Sequence, residues 1–345
     1  MDSALPSAVD TLDSSVLGPY LEANVEGFTG LTGIEKFADG QSNPTFKITA
    51  ASGQYVLRRQ PPGELLKSAH AVDREYRVLA ALADTEVPVA TVYHLCEDRN
   101  IIGSMFYIMQ YCDGRIFWDP TIPSVSKAQR SALFDEMNRV LTALHKVNVE
   151  AVGLADFGKP GNYFQRQYNR WSGQYRASEM QRIEPMETLM NWLSNHLPED
   201  DGRISLVHGD YRLDNMIFDA TEPKVIALLD WELSTLGHPF ADVGYLCMQL
   251  RMPDRPDGLK GLRGKDLNAL GIPSEEEYVA TYCERMGIER IDNFGFYVAF
   301  SFFRLAAIVQ GVAKRAEDGN ASHKNAAGMG ALVEPMALLA LDAIR

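Results

Sequence analysis

The sequence predicts an α+β chain of two lobes, a small antiparallel β-sheet lobe first and a larger, mainly helical lobe after it. Three observations carry this. Between positions 34 and 58 apolar residues alternate with polar ones, the period of strands. From position 126 onward they recur at helical spacing instead. The length of 345 residues exceeds what one ordinary core holds, so the two patterns belong to separate regions of one composite structure.

Taken in order, residues 1–27 form an N-terminal segment and helix. The first residues are rich in Ser, Ala and Asp. A helix over 15–25 then places Val16, Leu17, Tyr20, Leu21 and Val25 on one face, and Gly27 and Gly30 end it. Residues 28–111 form the sheet lobe, with strands at 34–37, 45–49 and 54–58 joined as a meander. The first turn holds Gly40, Gln41, Ser42 and Asn43, whose backbone N–H groups suit a phosphate as well as they suit an ordinary hairpin. Ala51-Ser52-Gly53 makes the second, tight turn.

Period 2 places Val56 and Arg58 on one face of the third strand and Tyr55, Leu57 and Arg59 on the other. If Val56 faces the interior, Arg58 does too and needs a partner. Glu75, on a helix over 69–83 with the stripe Val72, Tyr76, Leu79 and Leu82, is the candidate. A surface Arg and a solvated Glu is the competing reading. A buried strand over 104–110 precedes a glycine turn, which reads as an interdomain hinge. Backbone groups of Gln110, Tyr111 and Cys112 at this hinge are candidates to meet a purine edge.

Residues 112–345 form the helical lobe, with helices over 126–145, 275–286, 294–315 and 326–344. Another helical stretch carries Arg166 and Arg170 on one face, next to Trp171. In this acidic chain that basic, aromatic surface is a candidate site for an anionic or acyl substrate, with a solvated face as the competing reading.

The stretch over 206–244 carries the chemistry. His208, Gly209 and Asp210 are followed by Asn215, and Asp230 ends the apolar run 225–229. Two carboxylates and an amide at one edge of a small sheet are what phosphoryl transfer needs. Asp210 orients the acceptor hydroxyl and takes its proton. Asn215 and Asp230 offer the hard oxygen ligands that Mg2+ prefers. Arg212 is placed to reach the transferring phosphoryl, and His208 to organise the loop.

With these residues in view, the motifs HGDYRLDN and LLDWE resemble the aminoglycoside phosphotransferase and choline kinase superfamily, relatives of protein kinases. The resemblance runs from about position 33 to the C-terminus. It implies a bilobal protein-kinase-like fold, ATP (with GTP as the alternative) and Mg2+. It places the catalytic aspartate on Asp210, the metal ligands on Asn215 and Asp230, the nucleotide-lobe ion pair on Arg58 and Glu75, and the phosphate-covering turn on Gly40 to Asn43. Asp242, in GHPFAD, falls where the family supports its catalytic loop. Arg58 departs from the lysine of protein kinases, and Trp231-Glu232 follows Asp230 where they have Phe-Gly.

The segments GQSNPTF, LKSAHAVDREYRVL and GRIFWDP further resemble the kinase-like portion of some acyl-CoA dehydrogenase-related multidomain proteins. That implies a hydroxy acid or hydroxyacyl-CoA as acceptor and a functional link to an acyl-CoA dehydrogenase. The alternatives are an aminoglycoside- or choline-type kinase, or a non-catalytic nucleotide-binding protein. A dehydrogenase reading fits poorly, because no dinucleotide-type glycine cluster follows a strand and the first third is β-rich.

Composition bounds the partners. A formal net charge of −13 argues against broad nucleic-acid binding and against anionic membranes. No uninterrupted apolar run approaches the ~20 residues of a membrane span. Cys96, Cys112, Cys247 and Cys283 are widely spaced, as expected of reduced thiols, and a cytoplasmic protein is expected. Gly258 to Lys265 (GLKGLRGK) is basic and glycine-rich, but its spacing is wrong for a Walker A loop and Asp266 replaces the required Ser or Thr.

Overall fold

The computed structural model describes residues 12–37, 43–61, 70–255, 260–318 and 326–345. Its chain divides into two compact units. One comprises the chain to Ile116 together with Asn215–Leu233, the other Phe117–Asp214 with Ser234–Arg345.

In the first unit, α1 (Ser14–Asn24) starts where the Asp13 carboxylate accepts the Ser15 N–H at 2.8 Å. Strands β1 (Leu31–Lys36), β2 (Thr45–Ala50) and β3 (Gly53–Arg59) form the expected meander. Helix α2 (Val72–Leu82), β4 (Val92–Cys96) and β5 (Phe106–Gln110) follow. The five strands pair antiparallel in the order β1-β2-β3-β5-β4, which puts β5 beside β3.

Both faces of this sheet are covered. Leu17, Leu21, Val25 and Phe28 pack on Phe46, Ile48, Leu57, Phe106 and Ile108 on one face. The N-terminal helix is therefore part of the sheet's core. Arg59 shares this face and is buried, its guanidinium satisfied by the Ser104 hydroxyl (2.9 Å) and the Ile102 carbonyl (3.0 Å). Helix α2 covers the opposite face, burying Val72, Glu75, Val78, Leu79 and Leu82, while Tyr76, expected in its stripe, is half-buried. The stripe turns because Glu75 must face the sheet to meet its partners.

The second unit is mainly helical. Helix α3 (Lys127–His145) opens with a Ser126/Gln129 capping box. Helices α4 (Tyr163–Ala177) and α5 (Glu184–Asn195) lead to β6 (Ser205–Val207). The chain then returns to the first unit as the hairpin β7 (Met216–Phe218) and β8 (Val225–Leu228). Arg115 and Phe218 exchange backbone hydrogen bonds at 2.7 and 2.8 Å, and the Leu228 N–H donates to the Pro88 carbonyl at 2.8 Å. A side chain at Gly114 would put its Cβ 2.3 Å from the Phe218 carbonyl oxygen, so only glycine permits this stitching. These bonds place 112–116 and 215–233 in the first unit, whereas the sequence reading put everything after 111 in the helical lobe.

Back in the second unit, β9 (Thr235–Gly237) pairs antiparallel with β6. Helices α6 (Phe240–Arg251), α7 (Leu267–Leu270), α8 (Glu275–Met286), α9 (Phe294–Glu317) and α10 (Val333–Ala343) follow. A 3-10 turn, Ala326–Leu332, replaces the start of the expected terminal helix. Helix α9 is long and apolar enough to cross a membrane, yet most of it is buried among the other helices of its unit. The described part of the basic segment, Lys260 to Lys265, folds back on the end of α6, with Lys260 and Lys265 both paired to Asp254.

Truncating Leu21, which is fully buried, tests whether α1 belongs to the sheet's core. Leu21→Ala is expected to cost about 2–5 kcal/mol of unfolding free energy, read as a lower urea midpoint. An unchanged midpoint would show that the helix is an appendage.

Candidate functional site

Strand β3, helix α2 and hairpin β7–β8 of the first unit bring its charged residues together. The Arg58 Nε lies 2.6 Å from Glu75 Oε2, and its Nη2 donates to Asp230 Oδ1 at 2.9 Å. The strand cation thus bridges the two acids. Glu75 is buried and also accepts from Asn43 Nδ2 (2.8 Å) and the Tyr107 hydroxyl (3.1 Å). Burial alone would weaken the Arg58 charge, but Glu75, then Tyr107 and Asp230, outweigh it and hold the guanidinium protonated. Burial also raises the Glu75 carboxyl above the usual range; Arg58 pulls it down and Asp230 pushes it up.

The hairpin sets the candidate metal ligands side by side. Met216 pairs with Leu228, and the Asn215 carbonyl accepts the Leu229 N–H at 2.8 Å. Asn215 and Asp230 therefore lie together at the open end of one ladder. Asp230 has φ of +64°, a conformation costly for a residue other than glycine and held here by the surrounding bonds. An amide oxygen and a carboxylate beside each other suit a hard divalent ion that completes its shell with water and phosphate oxygens.

In the second unit, the loop after β6 carries Asp210. The buried Asp242 carboxylate, in the first turn of α6, accepts the backbone N–H groups of His208 (2.7 Å) and Gly209 (2.8 Å). Gly209 has φ of +84°, which turns both N–H groups toward the same carboxylate and strains any other residue. His145 Nε2 lies 3.3 Å from Asp242, and its Nδ1 lies 2.7 Å from the Tyr282 hydroxyl. Burial would raise the Asp242 carboxyl, but the His145 hydrogen bond, the nearby histidines and the Gly209 N–H outweigh it and hold it below its usual value. His208 Nδ1 accepts the Asp210 N–H at 3.2 Å, which fixes the backbone of the candidate base.

The Tyr245 hydroxyl, one turn beyond Asp242 on α6, hydrogen-bonds the Asp210 carboxylate. Burial first, and then the Asp210 charge, raise its pKa, so the hydroxyl stays protonated and donates. Arg212 forms a bidentate ion pair with Asp214. Burial opposes its charge, while Asp214 and then Asp210 more than restore it. Arg212 was expected to reach a phosphoryl group; here its fork is taken up by Asp214, and the Asp210 charge acts on it from nearby.

Gly40, Gln41 and Ser42 lie outside the described residues. Asn43 is buried and binds Glu75 and His70, so it anchors the ion pair. The Gln110 N–H is taken by the Thr91 carbonyl (2.8 Å), Lys47 Nζ sits 4.5 Å from the Tyr111 ring centre, and burial raises the Cys112 thiol. Arg166 is bound to the carbonyls of Lys159 (2.6 Å) and Pro160 (3.2 Å). Arg170 is exposed, and Trp171 is buried with its indole N–H on Gln167. Trp171 is therefore a core residue with cations against it, where a surface residue was expected.

Tyr245 and Arg304 were not singled out by the sequence. Tyr245 had a legible signal, one turn from Asp242 on the same helix face. Arg304 had only its oddity, a cation inside the apolar run SFFRLAA.

A sequence model of the phosphotransferase enzyme family matches residues 33–278. Acyl-CoA dehydrogenase family member 10 of Mus musculus is 51% identical over 91% of this chain, which covers 29% of that protein. Acyl-CoA dehydrogenase family member 11 of Homo sapiens is 40% identical over 94% of this chain and 42% of its own length. The chain thus spans less than half the length of these curated relatives. A crystal structure of a candidate aminoglycoside phosphotransferase from Ralstonia eutropha is 48% identical, with 97% of this chain and 98% of that one covered and a TM-score of 0.88. The streptomycin–ATP–APH(2")-IIa ternary complex shares the fold alone, at 14% identity, a TM-score of 0.62, and coverage of 95% of this chain and 98% of that one.

The Asp242 carboxyl is depressed in the folded chain, so its contribution to stability is complete above the unfolded value near ~4 and is lost as pH falls through the folded value. Asp242→Asn leaves one buried N–H without its acceptor, at an expected cost of about 1–3 kcal/mol. Urea midpoints measured from neutral to acid pH check both statements: the variant should start lower and fall less steeply. Parallel curves would remove Asp242 as the titrating group.

Proposed function

Because this chain belongs to the phosphotransferase enzyme family, we propose that it transfers the terminal phosphoryl group of ATP, held with Mg2+, to a hydroxyl of a small molecule. The observation that carries this reading is Arg58 bridging Glu75 and Asp230, a cation and a metal-ligand candidate joined on one strand and one hairpin.

In this reading Arg58 grips phosphate oxygens with the free edges of its guanidinium while Glu75 fixes its position. Asn215 and Asp230 hold Mg2+, which when bound offsets the charge of the phosphates. Gly40, Gln41 and Ser42, which lie outside the described residues, are the candidates to cover the phosphates, Asn43 anchors the ion pair, and the backbone of Tyr111 and Cys112 meets the base. GTP is the alternative nucleotide. In the second unit, Asp210 accepts the acceptor's hydroxyl proton, with Tyr245 donating to its other lone pairs and the Asp242-held loop fixing its direction. A candidate base needs geometry before basicity, and the loop supplies it.

The acceptor we favour is a hydroxy acid or hydroxyacyl-CoA, supported by relatives that are acyl-CoA dehydrogenase family members and by Arg170 of α4. A functional link to an acyl-CoA dehydrogenase follows from the same kinship. Four unpaired cysteines fit a reducing, cytoplasmic setting.

The test is a screen of hydroxyacyl-CoAs, hydroxy acids, aminoglycosides, choline and sugars with ATP and Mg2+, read by the mass of the phosphorylated product. Wild type should modify a member of the panel, and Asp210→Asn should be slower by about 10²–10⁴-fold while still binding nucleotide. Chelating the metal should stop transfer. If wild type and Asp210→Asn are equally inert throughout, the chain is a nucleotide-binding scaffold. Transfer confined to an aminoglycoside would keep the mechanism and replace the acceptor.

A further inference from the structure

The second unit gathers two guanidinium groups at the Trp171 ring without pairing either to a carboxylate among the described residues. Arg304, on α9, places its guanidinium carbon 5.6 Å from the Trp171 ring centre and 5.4 Å from that of Tyr245. Arg170 reaches the same Trp171 ring from α4, at 5.0 Å. Two cations thus converge on one buried indole. Among the described residues, neither Arg304 nor Arg170 has an ion pair or a hydrogen-bond acceptor. Ring faces hold the plane of a guanidinium and leave its N–H edge directed outward.

Three guanidiniums and one carboxylate act on the Tyr163 hydroxyl: Arg304, Arg166 and Arg170 oppose the upward push of burial and of Asp242. The same half-buried Arg304 lies against Tyr245, whose hydroxyl is bonded to Asp210. In a chain with 33 basic and 46 acidic residues, a guanidinium left without a carboxylate is not forced by a shortage of acids. Like charges collected around one ring cost energy unless something anionic joins them. A bidentate oxyanion meets the fork geometry that the rings leave open.

We infer that Arg304, held between Trp171 and Tyr245 and assisted by Arg170, is the subsite that binds an anionic group of the phosphate acceptor, a carboxylate or a phosphate, while Asp210 takes the hydroxyl. This rests on the phosphotransferase reading and adds the acceptor's charge and the residue that reads it. The shared chemistry of the two sources is a planar or tetrahedral oxyanion. A free hydroxy acid offers the first and a coenzyme A thioester the second.

The experiment titrates β-hydroxyoctanoate, its neutral amide and its coenzyme A thioester into the full chain saturated with Mg-ADP, by calorimetry, and follows transfer from ATP in parallel. Wild type should bind one of the anionic compounds more tightly than the amide; whether the acid or the thioester is preferred identifies the source. Arg304→Ala should weaken that anion by about tenfold to a hundredfold and the amide much less, closing the gap. Arg304→Lys should keep part of the preference, and Arg170→Gln, at an exposed position, should narrow it. ADP affinity and thermal melting report whether each variant is folded. Equal losses for anion and amide, or a wild type that binds no anion better than the amide, overturn the proposal. Selective anion binding without any transfer sinks the phosphotransferase reading and leaves the subsite standing.

Discussion

The arrangement around Asp210 depends on one buried charge. Asp242 is fully enclosed, and a carboxylate so placed is unstable unless donors replace the water it lost. Its donors are two successive backbone N–H groups, from His208 and Gly209, together with His145. Its place in the first turn of α6 adds the favourable end of the helix dipole. Meeting that demand dictates the loop. Both N–H groups point one way only because Gly209 takes a left-handed conformation, and the next N–H, that of Asp210, is then held by the His208 ring. The stability of the carboxylate and the aim of the candidate base are the same geometric fact.

The first unit has a parallel constraint in Arg58. An ammonium is a point charge and satisfies one short contact well. A guanidinium offers several N–H groups in a fixed fork and engages Glu75 and Asp230 from different nitrogens at once. The departure from lysine at this position therefore has a structural content. It ties helix α2 to the hairpin that carries Asn215 and Asp230. Asn43 and Tyr107 spend hydrogen bonds on keeping Glu75 in place, so the ion pair is supported on every side that the described residues show.

What was legible in the sequence follows from the range of the signal. Strand β2 alternates cleanly between its two turns, and α3 and α8 carry capping boxes, so local rules sufficed there. The motif from His208 to Asp230 was legible because its spacing is compact. Strand β4 was missed: it is an edge strand in which half-buried Val92, His94 and Leu95 and exposed Tyr93 replace the strict alternation. The return of 215–233 to the first unit was equally hidden, since it rests on backbone bonds to Pro88 and Arg115, more than a hundred residues away. Arg212 misled because its partner lies two residues on in a loop, where no periodic rule pairs side chains. Trp171 misled because a helix face that looks polar in sequence turns one large ring inward.

Net charge and local charge make separate demands on the acceptor. At physiological ionic strength, fields decay over about 8–10 Å, so a net charge of −13 spread over the chain governs encounter more than it governs binding at one point. The local count around Trp171 is the reverse, with two guanidiniums within 6 Å of its ring and none of the described carboxylates paired to them. A polycationic acceptor would be drawn to the surface and then repelled at the subsite. An anionic one approaches more slowly and is held once it arrives, because the rings exclude water from one side of each guanidinium and leave its donors ready. The arginines at Trp171 therefore weigh more heavily in the choice of acceptor than the acidity of the chain as a whole.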